Sequence, residues 1–193
     1  MTKGKKNFSK GKVIFSLFLI SAGFVLLFGK PEKAEKTFET AVKYSTAQEP
    51  IKAEGFDGET EKTSAIPKKI IIPSLSLSVN IKKAGIIEGY WEVYESSASW
   101  GEGSGLPGYA GNQVIFAHAR EGLFLPLKDI KEKEVIYVLT ESNWFEYSVE
   151  KIKEVKPDDL EVIKPTKDEI LTIYTCSGFN DNKRLIIVAK RIN

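Results

Sequence analysis

The chain has 193 residues, 42% of them hydrophobic and 28% charged. That suits one ordinary domain with a real core plus an appendage, and is too short for two comfortable domains. The net charge of +2 hides an asymmetry: Lys3, Lys5, Lys6, Lys10 and Lys12 stand in the first twelve residues with no acid, which leaves 23 basic against 26 acidic residues, a balance of −3, for the rest. A mildly acidic body with no basic face excludes a nucleic-acid partner, and a single cysteine excludes an intramolecular disulfide.

Residues 1–12 read as a basic cytoplasmic segment. Positions 13–29, from Val13 to Gly29, are 17 residues without a charge. That is the short end of a membrane-spanning helix, at about 1.5 Å rise per residue against a hydrocarbon core of roughly 30 Å. Lys12 and Lys30 extend its reach by snorkelling. The lysines precede the span, so the expected orientation is N-terminus cytoplasmic and everything after it outside the cell. The competing reading is a cleaved signal peptide, but Leu27-Phe28-Gly29-Lys30 offers no small-x-small cleavage site, which favours an anchor. Residues 30–65 are rich in Glu, Lys and Thr with few large apolar side chains, and read as a stalk.

From Pro67 short apolar or alternating runs follow one another between turn residues. Strands are expected at Lys69–Pro73, Val79–Ala84, Asn112–His118, Glu134–Thr140, Trp144–Val155, Ile170–Cys176 and Arg184–Arg191, many of them rich in Val, Ile, Tyr and Thr. The fifth pairs with the fourth as a hairpin around Glu141-Ser142-Asn143. Leu123–Ile130 and Pro157–Val162 suggest short helical turns, and no long amphipathic helix follows residue 66. The expectation is a mainly β, barrel-like domain over residues 66–193.

His118 ends one run, Cys176 ends another, and Arg184 opens a third. Residues at strand ends face loops and clefts, where function concentrates. If residues 177–183 form a hairpin loop, Cys176 and Arg184 share one end of the sheet. If the His118 strand runs parallel and adjacent to the Cys176 strand, the imidazole joins them. Such a set performs acyl transfer. A thiol near its ordinary pKa of about 8.5 is intrinsically very nucleophilic as thiolate, an imidazole protonates a leaving amine, and a guanidinium donates to a carbonyl oxygen that becomes negative. Each residue alone also has a plain structural reading: a small buried thiol, a structural histidine, a solvated arginine. A competing arginine, Arg191, falls on the opposite face of the last strand by alternation and about 23 Å further along it.

The motifs bear on this choice. Thr172-Ile173-Tyr174-Thr175-Cys176 resembles the sortase signature TLxTC with Ile for Leu. Gly111-Asn112-Gln113-Val114-Ile115-Phe116-Ala117-His118 resembles the GNxVIxGH strand of that family, continued by Phe124, Pro126 and Leu127. Lys69-Ile70-Ile71-Ile72-Pro73 resembles its opening strand, and Arg184-Leu185-Ile186-Ile187-Val188 its arginine-bearing last strand. The resemblance runs over roughly residues 66–193 in the family's order. It implies a closed eight-stranded sortase-like β-barrel and a cysteine transpeptidase that cleaves an LPxTG-like sorting signal through a thioacyl intermediate. The acyl group then passes to an amine, such as a peptidoglycan precursor or a pilin lysine. Cys176 would be the nucleophile, His118 the acid/base and Arg184 the oxyanion and backbone clamp, with Thr175 and Arg120 at the substrate. Ala117 and Ala119 flank the histidine where Gly and Arg are frequent in the family, and the loop from Cys176 to Arg184 is short. No hydrophobic segment follows Arg191, unlike many pilus-building members. A thiol hydrolase and a non-catalytic extracellular binding module are the alternatives. No cofactor is expected. Calcium serves some members, but Asp158, Asp159 and Glu161 read better as the cap of a short helix than as an ion site.

Overall fold

A computed structural model of the protein describes residues 51–56 and 63–192. The expected anchor at 13–29 lies outside the described residues, and among those described no helix is long and apolar enough to cross a membrane.

The domain is a closed barrel. Its strands are β1 (Lys69–Ile72), β2 (Leu77–Ala84), β5 (Ala98–Gly101), β6 (Gly111–Phe116), β7 (Val135–Leu139), β8 (Trp144–Val155), β9 (Glu169–Ser177) and β10 (Lys183–Arg191). They follow one another round the barrel as β1-β2-β5-β6-β9-β10-β8-β7, and β1 closes on β7. Two further short strands, β3 (Ile86–Ile87) and β4 (Tyr90–Trp91), form a small antiparallel ribbon. Two pairings in the barrel are parallel, β2 with β5 and β6 with β9. The helical pieces are single 3-10 turns, among them Leu125–Asp129 and Leu160–Ile163.

The side-chain period of two sets what each strand buries. In β2, Leu77, Val79 and Ile81 turn inward while Ser78, Asn80 and Lys82 meet water. β6 and β9 are instead buried along nearly their whole length. They are parallel neighbours covered on both faces, which is why both read as unbroken apolar runs. Ile115, Leu171, Ile173 and Ile187 join Ile70, Ile136 and Trp100 inside the barrel. Val114, Phe116, Tyr174 and Ile186 point outward into a second cluster with Trp91 and Ile163. Trp91 is fully buried there and stacks on Phe116 at 5.8 Å. It fits because β5 ends on glycine: a Cβ on Gly101 would lie 2.6 Å from the Trp91 ring.

The structure departs from expectation in several places, the β3–β4 ribbon among them. β5 was not foreseen; Ala98-Ser99-Trp100-Gly101 carries no β-branched residue, and its pairings with β2 and β6 define it. Part of the expected stalk is docked: Ile51 and Ala53 are buried in the outer cluster, and Ala53 N–H donates to Gly89 O (2.8 Å) while Trp91 N–H donates to Ile51 O (3.1 Å).

Candidate active site

Cys176 and Arg184 are directly opposed partners across the antiparallel pair β9–β10. Opposed residues share a face, with Cβ atoms about 4.5–5.5 Å apart. On the other side of β9 the parallel register with β6 pairs Val114 with Thr172 and Phe116 with Tyr174. Continued past the strand end, it sets His118 level with Cys176. That continuation is held by hydrogen bonds: Ala117 N–H donates to Tyr174 O (3.4 Å), and Thr175 Oγ1 donates to Ala117 O (2.8 Å). His118, Cys176 and Arg184 therefore lie in a row across the continuation of β6 and the adjacent strands β9 and β10. They stand on the barrel's outer side, beyond Phe116, Tyr174 and Ile186. The parallel arrangement stated as a condition from the sequence is the one observed.

The turn after β6 is tight. Arg120 N–H and Phe124 N–H both donate to His118 O, at 3.0 and 3.1 Å, and Phe124, Leu127 and Leu123 plug the barrel beneath it. His118 is mostly buried, and its side chain is 12% exposed. Burial pushes its pKa below the ordinary 6.5, the Glu95 carboxylate opposes that shift, Arg120 adds to it and Asp181 opposes it. A neutral imidazole at neutral pH is the result, ready to accept a proton and to release it again.

Arg184 is buried, at 2% exposure. Its Nη1 donates to Asp181 O (2.6 Å) and Lys183 O (3.0 Å), so the guanidinium is clamped by carbonyls of the loop that leaves Cys176. Guanidinium has five donors in a fixed fork, and only Nη1 is engaged in these two bonds. The loop turns through Gly178 at φ +77°, where a Cβ would strike Asn182 Oδ1, and through left-handed Asn180 and Asp181. The Tyr174 hydroxyl lies near Arg184 and Cys176; burial raises its pKa and Arg184 opposes that.

The remaining expected residues sort differently. Thr175 is buried and, by alternation, faces the barrel interior, where its hydroxyl ties the His118 segment to the cysteine strand. Arg120 is half exposed and donates to Glu95 Oε2 at 2.7 Å. Arg191 is paired in register next to Lys190↔Ile170, at the far end of β9 from Cys176; it reaches Glu169 at 3.3 Å and covers the Phe145 ring at 4.7 Å. Asp159 caps the turn Leu160–Ile163 by accepting from Glu161 N–H (3.2 Å), and Glu161 pairs with Lys164. Among the described residues no group of three or more His, Cys, Asp or Glu is arranged to hold a metal.

Sequence reasoning missed Glu95. It sits three residues before β5, and β5 pairs with β6 through Ser99↔Phe116, so the sheet carries it to His118. Nothing in Val93-Tyr94-Glu95-Ser96-Ser97 signals that, because the strand that places it was itself illegible.

Comparison with known proteins bears on the same region. The sequence model of the sortase domain matches residues 70–192. Sortase A of Bacillus anthracis is 29% identical over 163 residues, covering 82% of this chain and 72% of that protein. Among solved structures, a lid mutant of sortase A from Corynebacterium diphtheriae superposes with a TM-score of 0.58 at 28% identity, over 67% of this chain and 70% of the other. The pilus-related sortase C of Group B Streptococcus gives 0.58 at 25% identity, over 70% of each chain.

Proposed function

This chain belongs to the sortase family of cysteine transpeptidases, and on that premise we propose that Cys176, His118 and Arg184 cleave an LPxTG-like sorting signal and join its acyl part to an amine. The observation that carries the reading is the alignment of the three residues, with Cys176 and Arg184 opposed on β9 and β10 and His118 on the segment that continues β6 beside β9. His118 takes the thiol proton of Cys176, and the resulting thiolate attacks the carbonyl carbon of the scissile threonyl bond. Arg184, rigid on its loop carbonyls, donates its remaining N–H groups to the oxygen as it turns negative. His118 gives its proton to the departing amine, and a thioester remains on Sγ. The incoming amine attacks that thioester, His118 takes its proton, and the thiolate leaves. The depressed basicity of the buried imidazole makes its protonated form a stronger acid toward the leaving group.

The acceptor is an amine of the cell surface, such as a peptidoglycan precursor or a pilin lysine. The uncharged run 13–29 tethers the enzyme to the membrane with the barrel outside. Protease shaving of intact cells tests that topology: loss of the barrel supports it, while protection, or a mature N-terminus near residue 30, contradicts it. The activity is tested by incubating the protein with LPxTG-like peptides, with and without an amine, and identifying products by mass. A peptide–amine conjugate supports transpeptidation. Free acid alone, unchanged by amine, marks a thiol hydrolase, and no turnover of any peptide favours a binding module.

A further inference from the structure

Nε2 of His118 is buried and makes no hydrogen bond to any described residue. An imidazole nitrogen in that position is costly unless it finds an acceptor. The Glu95 carboxylate lies beside it, with Oε1 at 3.5 Å. The other oxygen of the same carboxylate, Oε2, is fixed by Arg120 Nη1 at 2.7 Å. The main chain holds both partners in place: β5 pairs with β6 through Ser99↔Phe116, and the turn that follows His118 brings Arg120 back beside it. Glu95, His118 and Arg120, with Ala119 and Asp181, line one small cavity of about 190 Å³. The carboxylate is thus anchored from one side by Arg120 and faces the histidine on the other.

We propose that Glu95 is a positioning residue for His118: its carboxylate, held by Arg120, accepts the Nε2 proton and so fixes the imidazole tautomer, leaving Nδ1 as the atom that exchanges a proton at the reacting centre. Catalytic hydrogen bonds are often long in the unliganded enzyme and tighten when substrate arrives, and a second group that fixes which ring nitrogen carries the proton is a recurring way to prepare a histidine. The carboxylate also favours the protonated ring. The charged groups facing the imidazole are Glu95 from the β4–β5 connection, Arg120 from the turn after β6 and Asp181 from the β9–β10 loop, with Cys176 on the neighbouring strand. The proposal rests on His118 being the acid/base assigned above, and the deciding measurement, the titration and tautomer of the ring, does not depend on the substrate.

The chain has one histidine, so its ring can be observed alone by NMR in the intact protein. In wild type the imidazole 15N shifts should report a neutral ring protonated on Nε2. Glu95→Ala should mix the two tautomers and move the titration midpoint to lower pH. Glu95→Gln, which keeps an acceptor and loses the charge, should retain the tautomer and still move the midpoint down. With a sorting-signal peptide, Glu95→Ala should lower kcat/KM by about five-fold, mainly through kcat, the scale of a solvent-screened charge pair. Glu95 is largely exposed, so the fold should tolerate both variants. Identical tautomer populations and an unmoved midpoint in Glu95→Ala would overturn the proposal, and would mark the Glu95–Arg120 pair as an ordinary surface ion pair passing near the ring.

Discussion

Replacing Arg184 by lysine keeps the positive charge and removes only the fork. In the structure one nitrogen, Nη1, donates to both Asp181 O and Lys183 O, and the side chain is 2% exposed. A lysine Nζ has three donors on a single atom. If it reaches the loop carbonyls it leaves the substrate oxygen without its rigid donor; if it reaches the substrate it leaves the carbonyls without a partner. The first outcome costs about 10²–10³ in kcat/KM, the usual result of losing one oxyanion donor. The second costs about 1–3 kcal/mol of stability for buried acceptors left unpaired, or roughly 2–4 °C in Tm per kcal/mol for a domain of this size. Steady-state kinetics on a sorting-signal peptide, with thermal unfolding of the same samples, separates the two. Arg191→Lys is the internal control. Its guanidinium lies on Phe145 and against Glu169 at the other end of β9, so it should lose some stability while kcat/KM stays within about two-fold. A lysine at 184 that turns over within three-fold of wild type, or a larger rate loss at 191 than at 184, would refute the assignment.

Cys176→Ala should leave the fold intact and reduce cleavage below about one thousandth of wild type, measured by product mass; more turnover than that points to another nucleophile. Gly178→Ala should disturb the loop that orients Arg184, because the residue sits at φ +77° and the new Cβ meets Asn182 Oδ1; a Tm drop of a few degrees with reduced kcat is expected, and an unchanged enzyme would mean that the loop geometry is not needed. Asn112→Ala removes a buried amide that donates to Val162 O and Lys164 O and accepts from Thr172 Oγ1, so unfolding should become easier by about 2–4 kcal/mol by denaturant titration. His118 is held neutral by burial, so protons bind the unfolded chain more readily; its contribution to stability is present above the ordinary histidine pKa near 6.5 and is lost as pH falls below it. His118→Gln should therefore weaken the fall in Tm between pH 7.5 and pH 5, and an unchanged slope would contradict the direction of the shift.

The amino-acid pattern reveals the strands that carry the candidate site residues and conceals the geometry between them. β9 and β10 are visible as long apolar runs because both of their faces are covered, and Trp144–Val155 is visible because β8 is long and amphipathic. β6 was expected to reach His118 but ends at Phe116, since the chain must turn there to bring Arg120 and Phe124 N–H back onto His118 O. β5 is invisible because four small or aromatic residues become a strand only through their neighbours. With β5 goes Glu95, whose place beside His118 is a consequence of sheet register and not of any local pattern. Thr175 is readable as part of the motif, and alternation sends it inward, opposite to Cys176. The docking of Ile51 and Ala53 was hidden for a related reason, since two small apolar contacts in a polar stretch gain their meaning from Trp91.

The central claim is that Cys176 carries the acyl group between donor and acceptor. The direct measurement is the intact mass of the protein quenched during reaction with a sorting-signal peptide in the absence of added amine, followed by peptide mapping. An adduct equal to the N-terminal part of the peptide, localised to Cys176 and discharged into a conjugate when an amine is added, is the predicted result. Turnover with no adduct on Cys176, or an adduct that amine cannot discharge, would contradict the account.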